Sequence, residues 1–205
     1  MDILLIGGGG HCRAVIDVIE RTGRWSILGI VDANLANGSR IDGHEVLGSD
    51  DDLPLLRERA GHAIITVGQI KSPDVRMRIH STLTELGFVL PVIVSPTAEV
   101  SALAALGAGT VAMHFAFVGP GATVGKNCIL NTRSHVEHDC SVGDHCHVST
   151  GAILNGGVGV GDGSMIGSGS VIRENISVGT RCVVGMGSHL RVSIGDGTVF
   201  AGGVK

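Results

Sequence analysis

The chain has 205 residues and a formal net charge of -4 with both signs interspersed, so neither nucleic acid nor an anionic membrane is expected as a partner. Aromatics make up 2 % of it, tyrosine is absent and glycine reaches 33, so any core must be filled by Val, Ile, Leu, Ala and small residues in regular, close layers. No apolar run approaches the roughly 18–20 residues that cross a bilayer, MDILLIGGGG lacks the features of a signal peptide, and five cysteines without paired spacing do not read as a disulfide framework; a cytoplasmic chain without membrane insertion is expected.

Residues 1–95 alternate apolar strands with helical stretches. DILLIG is a strand, CRAVIDVIERTG a helix, WSILGIVDAN and HAIITVG further strands, DVRMRIHSTLTELGF a second helix ending at Gly87, and VLPVIVSP a closing strand. This order predicts a parallel sheet in a small Rossmann-like unit. Between the first strand and helix stand four glycines, which suit close approach of a ligand such as a phosphate to a helix N-terminus. Gly7 and Gly9 fit the first two places of the dinucleotide fingerprint, but Cys12 holds the third. Asp32, ending the second strand, is placed to hydrogen-bond a ribose.

After Pro96 the period changes to six. Written in sixes from Ala105, the second place reads Leu106, Ala112, Val118, Val124 and onward to Leu190, with Ala112 the one departure from Val, Ile or Leu. The third place is often Gly, and the sixth is mostly Ala, Ser, Thr or Cys. Hexapeptide repeats predict a parallel β-helix over residues 96–205, about 18 residues to a coil and roughly five coils. The aliphatic residue points inward, the glycine is expected to turn each corner, and the small sixth residue leaves room inside. Near Arg191–Ser193 the phase slips.

The stretch NTRSHVEHDCSVGDHCH, residues 131–147, interrupts this pattern with four histidines and two cysteines. Cys128, Cys140, Cys146 and Cys182 all fall in the sixth place, which makes them buried space-fillers and argues against a zinc site. His135 and His147 occupy first places, His138 a fourth and His145 a fifth, all at corners or outer faces; His145 reads as a solvated corner residue. His138 sits between Glu137 and Asp139, an arrangement that can fix a tautomer and make a better base.

The sequence resembles the bacterial nucleotide-sugar and sialic-acid acetyltransferases of the NeuD/PglD type. IGGGGHCRAVIDVI, IVDAN, VGQIKSPDVRMRI and LNTRSHVEHDCSVGDHCHVSTGAILNGGVGVGDGSMIGSGSVI carry the likeness over nearly the whole chain. The resemblance implies that the β-helix is left-handed. It also implies a homotrimer with inter-subunit active sites, acetyl-CoA along a groove between neighbouring helices, and no metal. It gives His138 the role of general base, with Asp139 orienting it and Asn131 matching a polar active-site residue. His147 would contact the thioester region of acetyl-CoA, and Gly156, Ser168 and Gly185 would line its groove. Gly7, Gly9, Gly10, His11, Asp32 and Arg76 would hold the nucleotide sugar, with His11 approaching the catalytic centre. Cys12, Ala33 and an apparent insertion at Lys71–Asp74 depart from the family pattern, as does the C-terminal AGGVK.

The expected reaction is direct acetyl transfer to a nucleotide-linked 4-amino-4,6-dideoxy sugar. The alternative is O-acetylation of sialic acid or another glycan precursor. A zinc lyase resembling γ-carbonic anhydrases is less favoured, because that family's histidine spacing is not clearly present. An NAD-dependent oxidoreductase is disfavoured by the broken fingerprint. A trimer also has a physical reason, since an isolated prism exposes a flat, partly apolar face and a site on one corner needs a second wall.

Overall fold

The structure is a computed structural model that describes residues 1–202; Gly203, Val204 and Lys205, and with them most of the divergent C-terminal segment, lie outside the described residues. The chain divides into two compact units, one of Met1–Gly68 with Asp74–Ile93, the other of Gln69–Pro73 with the chain from Val94 onward.

The first unit is a mixed five-stranded sheet. Strand β1 (Asp2–Ile6) leads through Gly7–Gly9 into helix α1 (Gly10–Thr22) and then β2 (Ser26–Val31). The hairpin β3 (Arg40–Ile41) and β4 (His44–Gly48), short helix α2 (Leu53–Arg57), β5 (His62–Ile65) and α3 (Asp74–Glu85) follow. The sheet order is β3-β4-β2-β1-β5, parallel except for β3 against β4. The hairpin and α2 are additions to the elements expected from the sequence. Asp42-Gly43, both at positive φ, form the tight turn that an Asp-Gly pair favours.

VLPVIVSP does not close this sheet. Val89 makes one bridge to His62, and Ile93–Val94 instead begins a sheet of the second unit. Pro91 lies between them, and without an N–H it cannot extend a ladder.

The second unit is the left-handed β-helix, built of three parallel sheets of five, six and seven two-residue strands. Partners lie 18 residues apart up each sheet, as in Phe117, His135, Ile153, Val171 and His189. The last coil is shorter: Val199 pairs with Val183 and Ile194 with Val178, each 16 residues on, so the phase slip at Arg191–Ser193 is a two-residue deletion from one coil. Second-place residues from Val118 to Leu190 are buried and form one continuous core.

Two places of the hexad behave differently from expectation. The corner is turned by the fifth place: Gly109, Phe115, Gly121, Asn127, Arg133, Asp139, His145 and each sixth residue on to Gly187 have positive φ. Third-place glycines answer to crowding instead. A Cβ on Gly107 would lie 2.5 Å from the carbonyl carbon of Gly125, and one on Gly167 would lie 2.5 Å from the Met186 nitrogen. The coil above rests on these residues, and only hydrogen fits.

The sixth place does more than fill space. Ser164 Oγ donates to the Gly179 carbonyl at 2.7 Å and accepts the Cys182 N–H at 2.9 Å. Thr110, Cys128 and Ser170 repeat the pattern, each donating to a third-place carbonyl and accepting an N–H from the coil above. The thiols are therefore internal backbone partners, buried as expected. Their surroundings push the Cys146 thiol far up, first through its bond with Cys128 and then by burial.

Candidate active site

His138 and Asp139 stand together on the corner that follows His135–Val136, and both are exposed. Asp139 occupies the left-handed fifth place with φ 59°, which turns its carboxylate back toward the preceding ring. His138 Nδ1 lies 2.9 Å from Asp139 Oδ2, so Nδ1–H donates to the carboxylate and Nε2 carries the lone pair. That hydrogen bond, above all, raises the His138 pKa from its ordinary value, with the charges of Asp139 and Glu137 adding to it.

Glycines make the seat. A Cβ on Gly119, in the coil below, would lie 2.7 Å from the His138 nitrogen; one on Gly156, in the coil above, would lie 2.6 Å from both Cε1 and Nε2. The imidazole thus rests over Gly156, which has a steric reason to be glycine apart from any groove contact.

A second histidine–carboxylate pair adjoins the first. His135 Nε2 lies 3.0 Å from Glu137 Oε1, and the His135 ring stacks on Phe117 with centroids 4.5 Å apart. Glu137 Oε2 accepts the His138 backbone N–H at 3.3 Å. The spacing carried the signal for this pair, because residues two apart in a strand share a face.

Asn131 and His147 lie on a different corner, the one that follows Ile129–Leu130 and its partners up that sheet. Their side chains meet at 3.2 Å, Asn131 Nδ2 donating to His147 Nε2, while His147 Nδ1–H donates to the Gln69 carbonyl at 2.6 Å. His147 is 8 % exposed, with both ring nitrogens engaged within the protein. It is on the outer face, as its first place requires, and the Gln69–Pro73 segment lies against it, so its ring helps to anchor that segment. Gln69 also donates to the Gly163 carbonyl, and Pro73 packs on Gly163. The apparent insertion at Lys71–Asp74 is therefore largely the segment that docks on the coils; Gln69 itself had no local signal, 78 residues from its histidine. Ser168, exposed, and Gly185, half-buried, lie further up this second corner. The prism thus brings together His138, Asp139 and Gly156, and separately Asn131, His147, Ser168 and Gly185.

In the first unit, Gly7 is buried at φ 108°, and a Cβ there would meet Val67. Gly9 and Gly10 are exposed, and a Cβ on either would meet no atom within 4 Å; they border a cavity of about 520 Å³ with Arg13, Arg40 and Asp42. Arg13 and Asp42 form a two-bond ion pair at 2.8 and 3.0 Å. Helix α1 has no side-chain N-cap, and a helix N-terminus of this kind suits an anion. His11 is half-buried in the first turn, near Gly68. Cys12 is buried under Thr66, and burial pushes its thiol up to about 11.

Asp32 accepts the Gly8 N–H at 2.6 Å and the Asn34 N–H at 2.8 Å, so its carboxylate first shapes the two turns around it. Arg76 is engaged with the backbone of its own unit. It is 1 % exposed and turns its guanidinium to the Ile65 and Val67 carbonyls, at and just beyond the end of β5. Among the described residues no group of three or more His, Cys, Asp or Glu is arranged to hold a metal ion, and no helix is long and apolar enough to cross a membrane.

Residues 2–83 match the PglD N-terminal domain family and residues 157–190 the hexapeptide repeat of succinyl-transferase. No curated protein sequence matches the chain. Among solved structures, the acetyltransferase domain of PglB from Neisseria gonorrhoeae, in complex with acetyl coenzyme A, is 32 % identical with a TM-score of 0.89, over 96 % of this chain and 93 % of that one. PerB from Caulobacter crescentus, in complex with CoA and GDP-perosamine, is 30 % identical with a TM-score of 0.89, over 96 % and 91 %. Taken with the glycine-led α/β unit and the 18-residue coils, these likenesses establish that the chain belongs to the PglD-type nucleotide-sugar N-acetyltransferases with hexapeptide repeats.

Proposed function

We propose that this acetyl-CoA-dependent sugar acetyltransferase acylates the amine of a nucleotide-linked 4-amino-4,6-dideoxy sugar by direct transfer, with His138 as general base. The observation that carries the reading is the exposed His138–Asp139 pair, whose hydrogen bond leaves Nε2 as the basic nitrogen over Gly156. The likeness to relatives holding acetyl coenzyme A, or CoA with GDP-perosamine, supplies the two substrate classes.

As the sugar amine attacks the thioester carbonyl, Nε2 takes its proton and Asp139 stabilises the imidazolium. The carbon–nitrogen bond forms, the carbon–sulfur bond breaks, and the imidazolium returns the proton to the departing thiolate. No acyl-enzyme is needed, because holding amine and thioester together supplies much of the rate. The open helix N-terminus and the cavity beside Gly9 and Gly10 suit the diphosphate of the sugar nucleotide. Asn131 and His138 occupy different corners of one prism, so a homotrimer in which the corners of neighbouring copies face each other supplies the second wall.

The test is CoA release from acetyl-CoA with a panel of UDP-, GDP- and dTDP-linked 4-amino-4,6-dideoxy sugars, alongside free and CMP-linked sialic acid. Turnover with an amino sugar, reduced about a thousandfold in His138→Ala, is expected. Near-normal turnover in that variant would remove His138 as base. Turnover with sialic acid alone would move the reaction to oxygen. Light scattering is expected to give a trimer, and an active monomer would refute the shared site.

A further inference from the structure

The corner that carries Asn131 passes through the left-handed region once per coil, and from Gly151 upward, at Gly151, Gly169 and Gly187, glycine makes the turn. In the two coils below, the same place holds Arg133 at φ 57° and Phe115 at φ 58°. Side chains of that bulk are strained there, and strain of this kind persists where a function holds it. Burial does not explain either residue, since both are exposed. The Arg133 guanidinium lies over the Phe115 ring, 6.0 Å from its centroid, and no carboxylate among the described residues pairs with it.

Asp139, one hexad further on, is the matching half. Its Oδ2 accepts from His138 Nδ1 at 2.9 Å, no described group donates to its Oδ1, and its side chain is 74 % exposed. Height connects the two residues. Strands stack about 4.8 Å apart for each coil, so the third of a coil from Arg133 to Asp139 climbs about 1.6 Å. A threefold axis parallel to the prism keeps each residue at its own height. With the Asn131 corner of one copy against the His138 corner of the next, Arg133 stands level with Asp139 of the neighbouring copy. Phe115, one coil lower, stands level with the neighbour's Gly119, Pro120 and Gly121. We infer that Arg133 crosses the subunit interface to the open oxygen of the neighbour's Asp139. A carboxylate that orients His138 on one side is then held by a guanidinium on the other, and Phe115 braces the arginine from below. Arg133 is thus a positioning residue, acting on the base through Asp139. The pairing rests on the shared site of the proposed trimer.

Within its own chain His138 is faced by Asp139, by Glu137 and, through Glu137, by His135. Both carboxylates favour the imidazolium, and a guanidinium beside them opposes it. Removing Arg133 should therefore move the acid limb of the pH–rate profile to higher pH. Arg133→Gly suits the left-handed corner, so it is expected to keep or raise the melting temperature and to stay trimeric in light scattering. Its kcat is expected to fall about tenfold, the effect of one charge-assisted bond, and Arg133→Lys to regain part of that loss.

The closing test mixes Arg133→Gly and His138→Ala chains equally and assembles them into shared trimers. An arginine that serves its neighbour leaves about one site in four with both residues intact, and the mixture should reach about a quarter of the parent rate; an arginine that serves its own chain leaves no such site, and the rate should stay at about a twentieth. A rate near the lower value would overturn the pairing, as would Arg133→Gly with parental kcat and an unmoved acid limb. An Arg133→Gly chain that loses its trimer would also overturn it, leaving the arginine an assembly contact. An active, monomeric parent would remove the shared site itself, a distinct failure.

Discussion

In the α/β unit the conspicuous polar side chains turn inward to the backbone: Arg76 holds the Ile65 and Val67 carbonyls, and Asp32 holds the Gly8 and Asn34 N–H groups. In the β-helix the same duties recur at fixed places of the repeat. Sixth-place hydroxyls and thiols serve the backbone from inside and Asp144 and Asp162 accept N–H groups from outside, while His138 and Asp139 stay exposed and pair with each other. A fold that repeats one solution for its backbone leaves a corner such as this one for chemistry, whereas a sheet with irregular loops recruits individual polar residues to hold each loop.

Substitutions can break or sharpen that contrast. Arg76→Ala strands two carbonyls in the interior and is expected to cost about 3 kcal/mol, read as a lowered urea midpoint; an unchanged midpoint would mean the guanidinium is not a strut. Gly156→Ala pushes the imidazole off its seat and is expected to lower kcat about a hundredfold while leaving the melting temperature nearly unchanged. An equal loss of stability would make Gly156 a packing residue only.

Asp139→Asn keeps a residue that tolerates the left-handed corner but removes the main reason for the raised His138 pKa. Rates are expected to fall about tenfold, since asparagine stabilises the imidazolium poorly. Because the base must be neutral, the acid limb of the pH–rate profile should move to lower pH; a limb that stays in place would assign it to another group. Smallest is Ser164→Ala, which removes one donor and one acceptor between coils and should cost about 1 kcal/mol, with no change in KM for either substrate.

The β-helix was legible because its second-place aliphatics and sixth-place small residues repeat every six positions, and a strict period ties each residue to a neighbour 18 places on. The corner place was hidden, since Gly109, Phe115, Asn127, Asp139 and Arg181 share a positive φ but no side-chain chemistry. His138 and Asp139 were legible as adjacent residues. The burial of His147 was not, because its cover comes from Gln69, outside the repeat. In the α/β unit the Asp42-Gly43 pair carries the signal of its turn, whereas the turning inward of Arg76 depends on carbonyls at a strand end, which no pattern of side chains announces.

The sulfur atoms inside the prism also provide a clock. Cys128 and Cys146 are stacked in adjacent coils, Cys140 faces another corner, Cys182 lies higher, and Cys12 sits in the other unit; all are buried, and burial or their bonds to one another hold the Cys12, Cys140 and Cys146 thiols protonated. An alkylating reagent meets each sulfur only when its own coil opens. Pulse labelling followed by peptide mapping would therefore record the order in which the coils come apart, with Cys12 keeping separate time for the sheet.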